Sequence, residues 1–372
     1  GLYPSLDATT EDLQQFREFH QEIDRWSGWR DGQGRRAFAL PRMLGSDDAE
    51  VTVLDQITMT QWMDKHGWSS PKLRWWVDYA CRDDYGLRLE QTSAWAGLFY
   101  FVSRKPKPDQ PTQPFITWPE GNGRIVKHLV AGLQDRLEVG WAALDINPVE
   151  REGQPRVDVM AVNQEGTKAK GFHADHVIFA APQFLAPYLI RPYRENRPEH
   201  VAAFEYGSWA VANLIMKDRP AEENGFPLCW DNVFYESQSL GYVSATHQRG
   251  LDYGPTVFTW YYPMCDDSPR TARERLLSTD RQEWAEIALS DIERAHPEIR
   301  NLTQRLDVMR WGHAMIRAVP GFAWSPVRKK TAQPFRGIHF AHSDLSGLAL
   351  FEEAFAQGNR AADEILSNAQ VE

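Results

Sequence analysis

Along the first hundred residues, apolar positions recur at helical spacing. Leu13, Phe16, Phe19 and Ile23 form one stripe, predicting a helix that Thr9 or Thr10 can cap and that runs to about Trp26. Glycines from Gly28 to Gly34 end it. Asp55-Gln56-Ile57-Thr58 leads into a short helix carrying Trp62 and Met63. Ser69-Ser70-Pro71 opens another, with proline in its first turn, and puts Leu73, Trp76, Val77 and Ala80 on one side. That helix ends near Arg82-Asp83-Asp84-Tyr85-Gly86, a cluster that reads as a solvated helix end with local ion pairs, or else as the wall of a polar pocket. Residues 92–101 are small, aromatic and nearly uncharged, which suits a buried helix beside a cavity.

Four prolines between Lys105 and Pro114 mark a boundary, after which the period changes. Trp118-Pro119-Glu120-Gly121-Asn122-Gly123 opens a helix with Ile125, Leu129 and Leu133 on one face. Short strands are predicted at Leu137–Val139 and Arg156–Asn163, with Ala143–Ile146 following the first after a turn and a charged turn at Glu165–Lys168 following the second. Ala174–Pro182 is an apolar strand running into a proline turn. Between residues 191 and 303, Ser208–Met216, Leu240–His247 and Thr256–Tyr262 alternate as a sheet with one face against a cavity or helices. Thr271–His296 reads as one long amphipathic helix stopped by Pro297, and Leu306–Trp311 as a strand before the turn Ala318–Phe322.

The chain closes with an apolar strand at Gly337–Phe340, a polar turn holding Asp344, and a helix whose Ala354, Gly358, Ala361 and Ala362 form a small-residue face. Such a strand–loop–helix aims backbone N–H groups and the positive end of the helix dipole at whatever lies above the loop. Asp344 could there accept a hydrogen bond from a sugar-like hydroxyl. Taken alone, the segment is either a cofactor-contacting helix or an ordinary βα unit closing an α/β sheet.

Composition narrows the class. The 372 residues are 42% hydrophobic and 25% charged, an ordinary globular balance, with room for two domains or one interleaved one. A net charge of −10 without a basic block argues against nucleic acid as a partner. No apolar run reaches the length of a transmembrane helix. Cys81, Cys229 and Cys265 are far apart in the chain and match no metal-ligand spacing, so no metal site and no disulfide framework is expected. Fifteen tryptophans fit either an aromatic pocket or a large aromatic core. No Gly-x-Ser-x-Gly elbow supports a hydrolase.

Two fragments carry a resemblance. The end of the chain resembles the carboxy-terminal flavin-contacting motif of the FAD-dependent amine oxidase superfamily, with His342 where that family usually has glycine. Pro119, Gly121, Gly123, Ala143, Ala174, Asp175, Val177, Ile178, Ala180 and Pro182 match the family's second FAD-domain segment in order, with Asn122 interrupting its glycine pair. The resemblance implies an α/β (mixed α+β) fold in which a partial FAD-binding, Rossmann-like domain is interleaved with a substrate domain of mixed sheet and helices. The implied division is 1–114 (substrate, mostly helical), 115–190 (FAD), 191–303 (substrate, β-rich plus a long helix) and 304–372 (FAD).

The resemblance further implies FAD as cofactor, held by Gly121, Asn122, Gly123, Ala143, Ala181, Pro182, His342, Ser343, Asp344, Gly347, Phe351 and Glu352. A small-molecule amine or other C–H substrate would give a hydride to the flavin N5. Trp311 and His313 are candidates for the cavity wall, alongside the plain reading of a packed tryptophan and a satisfied histidine. No catalytic lysine is assigned, because Lys329 and Lys330 read as surface residues. The family's Gly-x-Gly-x-x-Gly unit does not occur in the sequence. The expectation is therefore a separate amino-terminal polypeptide, a fragment or an incomplete sequence. The alternative is a cofactor-free interaction protein on the same fold.

Overall fold

The first helical segment starts where Thr9 and Asp12 cap each other. The Thr9 hydroxyl accepts from the Asp12 N–H at 3.1 Å, and the Asp12 carboxylate from the Thr9 N–H at 2.9 Å. Our computed structural model describes residues 7–105, 107–108, 116–221, 228–235, 237–250 and 253–369. Most of the proline-rich stretch expected as a boundary lies outside them.

Helix α1 (Thr10–Gly28) buries Phe19, Ile23 and Trp26, while Leu13 of the predicted stripe faces solvent. Helix α2 (Met59–Lys65) has its own capping box from Thr58 and Gln61. In α3 (Pro71–Tyr85), the Ser70 hydroxyl accepts from the Leu73 N–H, and Gly86 stops the helix in the left-handed conformation. Helix α4 (Ala94–Val102) is buried on nearly every side, as its uncharged sequence predicts. The four helices share one core with Ala318, Ala323 and Leu348, so the start of the chain is welded to its end.

Helix α5 (Gly123–Val130) buries none of its residues, and the apolar face predicted from Ile125, Leu129 and Leu133 is left uncovered among the described residues. Leu137–Val139 is not a strand. Strand β1 (Trp141–Arg151) begins only where β2 (Gln154–Asn163) can pair with it, at Trp141 opposite Asn163, so the earlier residues have no ladder to join. With β3 (Ala169–Ala174) these form an antiparallel meander. Strand β4 (Val177–Phe179) then leaves it.

The third sheet has the order β6-β7-β8-β5-β9, built from β5 (Tyr206–Met216), β6 (Asp231–Asn232), β7 (Tyr242–Ser244), β8 (Thr256–Pro263) and β9 (Thr303–Ile316). Of the predicted strand Leu240–His247, Tyr242–Ser244 forms β7, with single backbone bonds from Leu240 and Ala245 to β8 on either side. Strand β9 outgrows its prediction because it follows β5 along nearly its whole length. The predicted long helix divides into α6 (Pro269–Ser278) and α7 (Arg281–Glu293). Thr279 is extended, and the Asp280 side chain accepts the Glu283 N–H at 2.8 Å, so a local cap outcompetes the continuing helix.

This sheet has two unlike faces. Even-numbered positions such as Ala210, Leu214, Phe258 and Trp260 are buried against α6 and α7 with Trp284 and Ile292. Odd-numbered positions such as Val211, Asn213, Thr259 and Tyr261 are half-buried on the other face. After β9 come α8 (Pro326–Thr331), β10 (Ile338–Phe340) and α9 (Phe351–Ala369). Strand β10 pairs in parallel with β4, Ile338 opposite Val177, and is buried throughout. The architecture is mixed α and β, as expected. No described helix is long and apolar enough to cross a membrane.

Candidate active site

Parallel strands β4 and β10 end on the same side, so the loops after them, 180–183 and 341–347, flank one crevice. In parallel sheets such crevices are where ligands bind. Asp344 sits at its floor, 2% exposed. Its Oδ2 accepts from the Tyr206 hydroxyl at 2.6 Å and from the Gln183 N–H at 2.9 Å. Its Oδ1 lies 3.0 Å from His342 Nδ1. The carboxylate thus ties the exits of both strands to the start of β5, and the partners it has here are protein groups. Burial and the Asp344 charge push the Tyr206 hydroxyl far above its ordinary pKa, so it acts as a donor. Beside this tie the Gln183 side-chain amide is buried, with no partner for its Nε2 among the described residues.

The turn Ser343–Ser346 is buried and ends at Gly347 in the left-handed conformation. Two buried arginines grip it. Arg42 donates to the carbonyls of Ala323 and Ser346, and Arg328 to those of Ala323 and Leu345. The Glu353 carboxylate accepts the Arg42 backbone N–H at 2.6 Å. Buried Asp55 accepts from the Ser93 hydroxyl at 2.6 Å and from the Trp324 N–H at 3.1 Å. Burial lowers the Arg42 and Arg328 guanidinia to about 9 and about 10, and it raises both carboxyls. The two cations and two anions lie within electrostatic reach of one another, each held by hydrogen bonds to other groups. Phe351 and Glu352, at the start of α9, line an open groove of about 860 Å³ with Pro41 and Met43.

The remaining residues singled out in the sequence are more dispersed. Ala181 and Pro182 are half-buried and lead into Gln183. Gly121, Asn122 and Gly123 are exposed, with nothing within 4 Å of a Cβ at either glycine. Ala143 is exposed beside a bulge in β1. His313 stacks on Phe184 at 4.0 Å and meets Tyr206 edge-on, so it lies beside the Asp344–Tyr206 tie. Burial and Arg273 lower its pKa. Trp311 is 54% exposed on the edge strand, opposite Trp209. Lys329 and Lys330 are exposed on α8.

A second group adjoins the crevice. The end of α3 is not a solvated terminus: Arg82 and Tyr85 are buried, and Arg82 is committed to Asp78 at 3.0 Å. Asp83 lies within electrostatic reach of Asp231 of β6, while Asp84 is bound by Arg104 at 2.8 Å. Asp231 accepts from the Tyr79 hydroxyl at 3.2 Å and from the Tyr261 hydroxyl at 3.1 Å. Trp209 stacks parallel to Tyr261 and presses its indole edge toward Gly86. Burial raises the Asp83 carboxyl to about 7, helped by the charges of Asp84 and Asp231. The charge of Glu352 contributes to raising Asp84, so this chamber and the start of α9 lie within electrostatic reach. Strand β5 joins the two places, with Trp209 three residues, roughly 10 Å, beyond Tyr206. The sequence carried one usable signal, the one-turn spacing of Tyr79 and Asp83 on a helix face.

Solved structures share this architecture. Cyclohexylamine oxidase from Brevibacterium oxydans IH-35A superposes with a TM-score of 0.61 at 14% identity, over 99% of this chain and 77% of that one. Putrescine oxidase bound to putrescine superposes with a TM-score of 0.67 at 13% identity, over 97% and 77%. No curated protein matches the chain. The family model described as flavin containing amine oxidoreductase matches residues 9–366, a span that takes in the Asp344 crevice and the chamber alike. The chain belongs to the flavin-containing amine oxidoreductase family.

Proposed function

We propose that this chain carries the FAD-contacting crevice and the substrate wall of an amine oxidoreductase. The observation that carries the reading is the tie of Asp344 to Tyr206 and Gln183, which fixes a crevice at the ends of two parallel strands. The orphaned amide of Gln183 fits a polar cofactor there, since a buried donor without an acceptor is costly unless a ligand supplies one. Ala181, Pro182, the turn from His342 to Gly347, Phe351 and Glu352 would hold the group. FAD, when bound, would supply at N5 an acceptor for the hydride leaving the carbon beside the amine nitrogen.

The chain's own share is placement and exclusion of water. Arg42 and Arg328 keep the 343–347 turn from shifting. Phe184 and His313 close one side with apolar and aromatic surface, which lowers the local dielectric and favours an uncharged imidazole. The half-buried odd-numbered face of the sheet offers the substrate a firm aromatic and amide surface.

The test is a visible absorption spectrum of the purified chain after incubation with FAD, with intact mass read on the same sample. Flavin bands that fade anaerobically on adding an aliphatic amine are expected, and Asp344→Ala should lower the flavin content. The mass reports whether a separate polypeptide accompanies the chain. Absence of flavin uptake under these conditions would favour the cofactor-free interaction protein.

A further inference from the structure

We infer that Arg42, Trp95 and Trp324 form a buried site for a monovalent anion of halide size, set between the first helical segment and the turn before α8. The inference goes beyond the flavin reading and stands or falls without it.

Unused donors are the first argument. Arg42 is 7% exposed and Trp95 2% exposed, and the Trp324 N–H is buried with them. Among the described residues, Arg42 Nη2, Trp95 Nε1 and Trp324 Nε1 have no hydrogen-bond partner. A buried N–H without an acceptor is costly, and here three such groups belong to one cluster. The guanidinium carbon of Arg42 lies 4.8 Å from the centre of the Trp95 ring and 4.5 Å from that of Trp324. The two indoles meet edge to face at 5.8 Å.

The donor set selects the ligand. All three groups donate and none accepts, and one carries a positive charge. A cation is therefore excluded. A water molecule would bring two protons of its own that need acceptors, and its two lone pairs are too few for three donors. A spherical anion accepts from every side and needs no acceptor in return.

The neighbouring carboxylates are turned to other donors. Asp55 accepts from the Ser93 hydroxyl and the Trp324 backbone N–H, and Glu353 from the Arg42 backbone N–H. Arg42 Nη1 is spent on the carbonyls of Ala323 and Ser346, which leaves Nη2 as its idle arm. Burial, with the Arg328 charge adding to it, holds the Arg42 guanidinium down at about 9. An anion beside Nη2 offsets both effects. Because Arg42 also grips the Ser346 carbonyl, an occupied site would firm the 343–347 turn.

The test is thermal unfolding of the purified chain at constant ionic strength, with sodium bromide replacing sodium gluconate in steps. The melting temperature should rise by roughly 2 °C or more, growing with the logarithm of bromide concentration, as binding to the folded state requires. Trp95→Phe and Trp324→Phe each keep an aromatic ring and remove one donor, and the double variant should lose at least about half of that rise. Anomalous scattering from crystals grown in bromide, a measurement that needs no variant, should place an ion within hydrogen-bond reach of Arg42 Nη2. Equal melting temperatures in bromide and gluconate would overturn the inference and point to water or close packing at the cluster. An undiminished rise in a folded double variant, or an anomalous map without bromide at Arg42, would overturn it as well.

Discussion

Tyr206 and Asp344 stand 138 residues apart in the chain, yet the tyrosine hydroxyl donates to the carboxylate at 2.6 Å. The bond joins the first residue of β5 to the turn after β10, so the five-stranded sheet and the 341–347 turn are fixed relative to each other by a charge-assisted contact. Tyr206→Phe keeps the ring and removes the donor. Stability should fall by about 1.5–3 kcal/mol, the range for a hydrogen bond to a charged group. The flavin-to-protein absorbance ratio should fall with it. An unchanged denaturation midpoint together with an unchanged ratio would show that the bond organises neither.

Arg42 ties the site to the opposite end of the chain. Arg42→Met keeps an apolar side chain but removes the guanidinium that lies over the Trp95 and Trp324 rings and donates to the carbonyls of Ala323 and Ser346. It also leaves the Glu353 charge with less compensation. A loss of about 1.5–3 kcal/mol is expected in chemical denaturation, the range for a hydrogen bond from a charged group. A loss below about 1 kcal/mol would mean that the cluster relaxes into apolar packing without penalty.

Asp83 should make the protein less stable as pH rises. Its carboxyl keeps its proton up to about 7 in the folded state, whereas the unfolded chain releases it near 4, so between those values the folded state binds more protons and stability declines. Asp83→Asn removes that dependence. Its melting temperature should exceed that of the wild type at about pH 8 and match it at about pH 3, below the unfolded-state transition. An equal shift at both values would point to a packing effect instead of a titration.

Gly86 is constrained twice. Its φ of +60° is the left-handed cap of α3, and a Cβ there would come within 2.7 Å of Trp209 Nε1. Gly86→Ala should cost about 1–2 kcal/mol for backbone conformation alone. It should also displace the Trp209 indole. Near-ultraviolet circular dichroism and tryptophan fluorescence would register the second effect, and an unaltered spectrum would argue that the indole is not held against this turn.

Local signals carried much of the fold. Thr9, Thr58 and Ser70 announced helix starts that the structure keeps, because a cap is a contact between neighbours in sequence. Asp280 was equally local but was overridden in reading by the apolar periodicity around it. What sequence could not supply was pairing at a distance. Leu137–Val139 looked like a strand and had no partner, while Thr303–Ile316 exceeded its own alternation because β5 offered a full-length edge. At the site, Asp344 was legible as an acid at a strand exit, but Tyr206 as its donor was not. Asp83 and Asp84 read as solvated charges because nothing local reveals that β6 and β8 close over them.

The two-faced sheet divides labour by parity. From Ala210 onward on β5, along β8 and at Leu306 of β9, the even-numbered side chains pack with α6 and α7, and the odd-numbered ones lie on the opposite face, while Tyr206 and Ile316 at the other end of the pair join the core around β10. Because neighbouring residues on a strand point to opposite faces, a change at Val211, Asn213 or Thr259 need not disturb the packing of Ala212, Leu214 or Phe258. Diversification of the odd-numbered set can thus remake that face while the even-numbered set keeps the scaffold intact, an arrangement in which novelty and robustness are inherited on alternate residues.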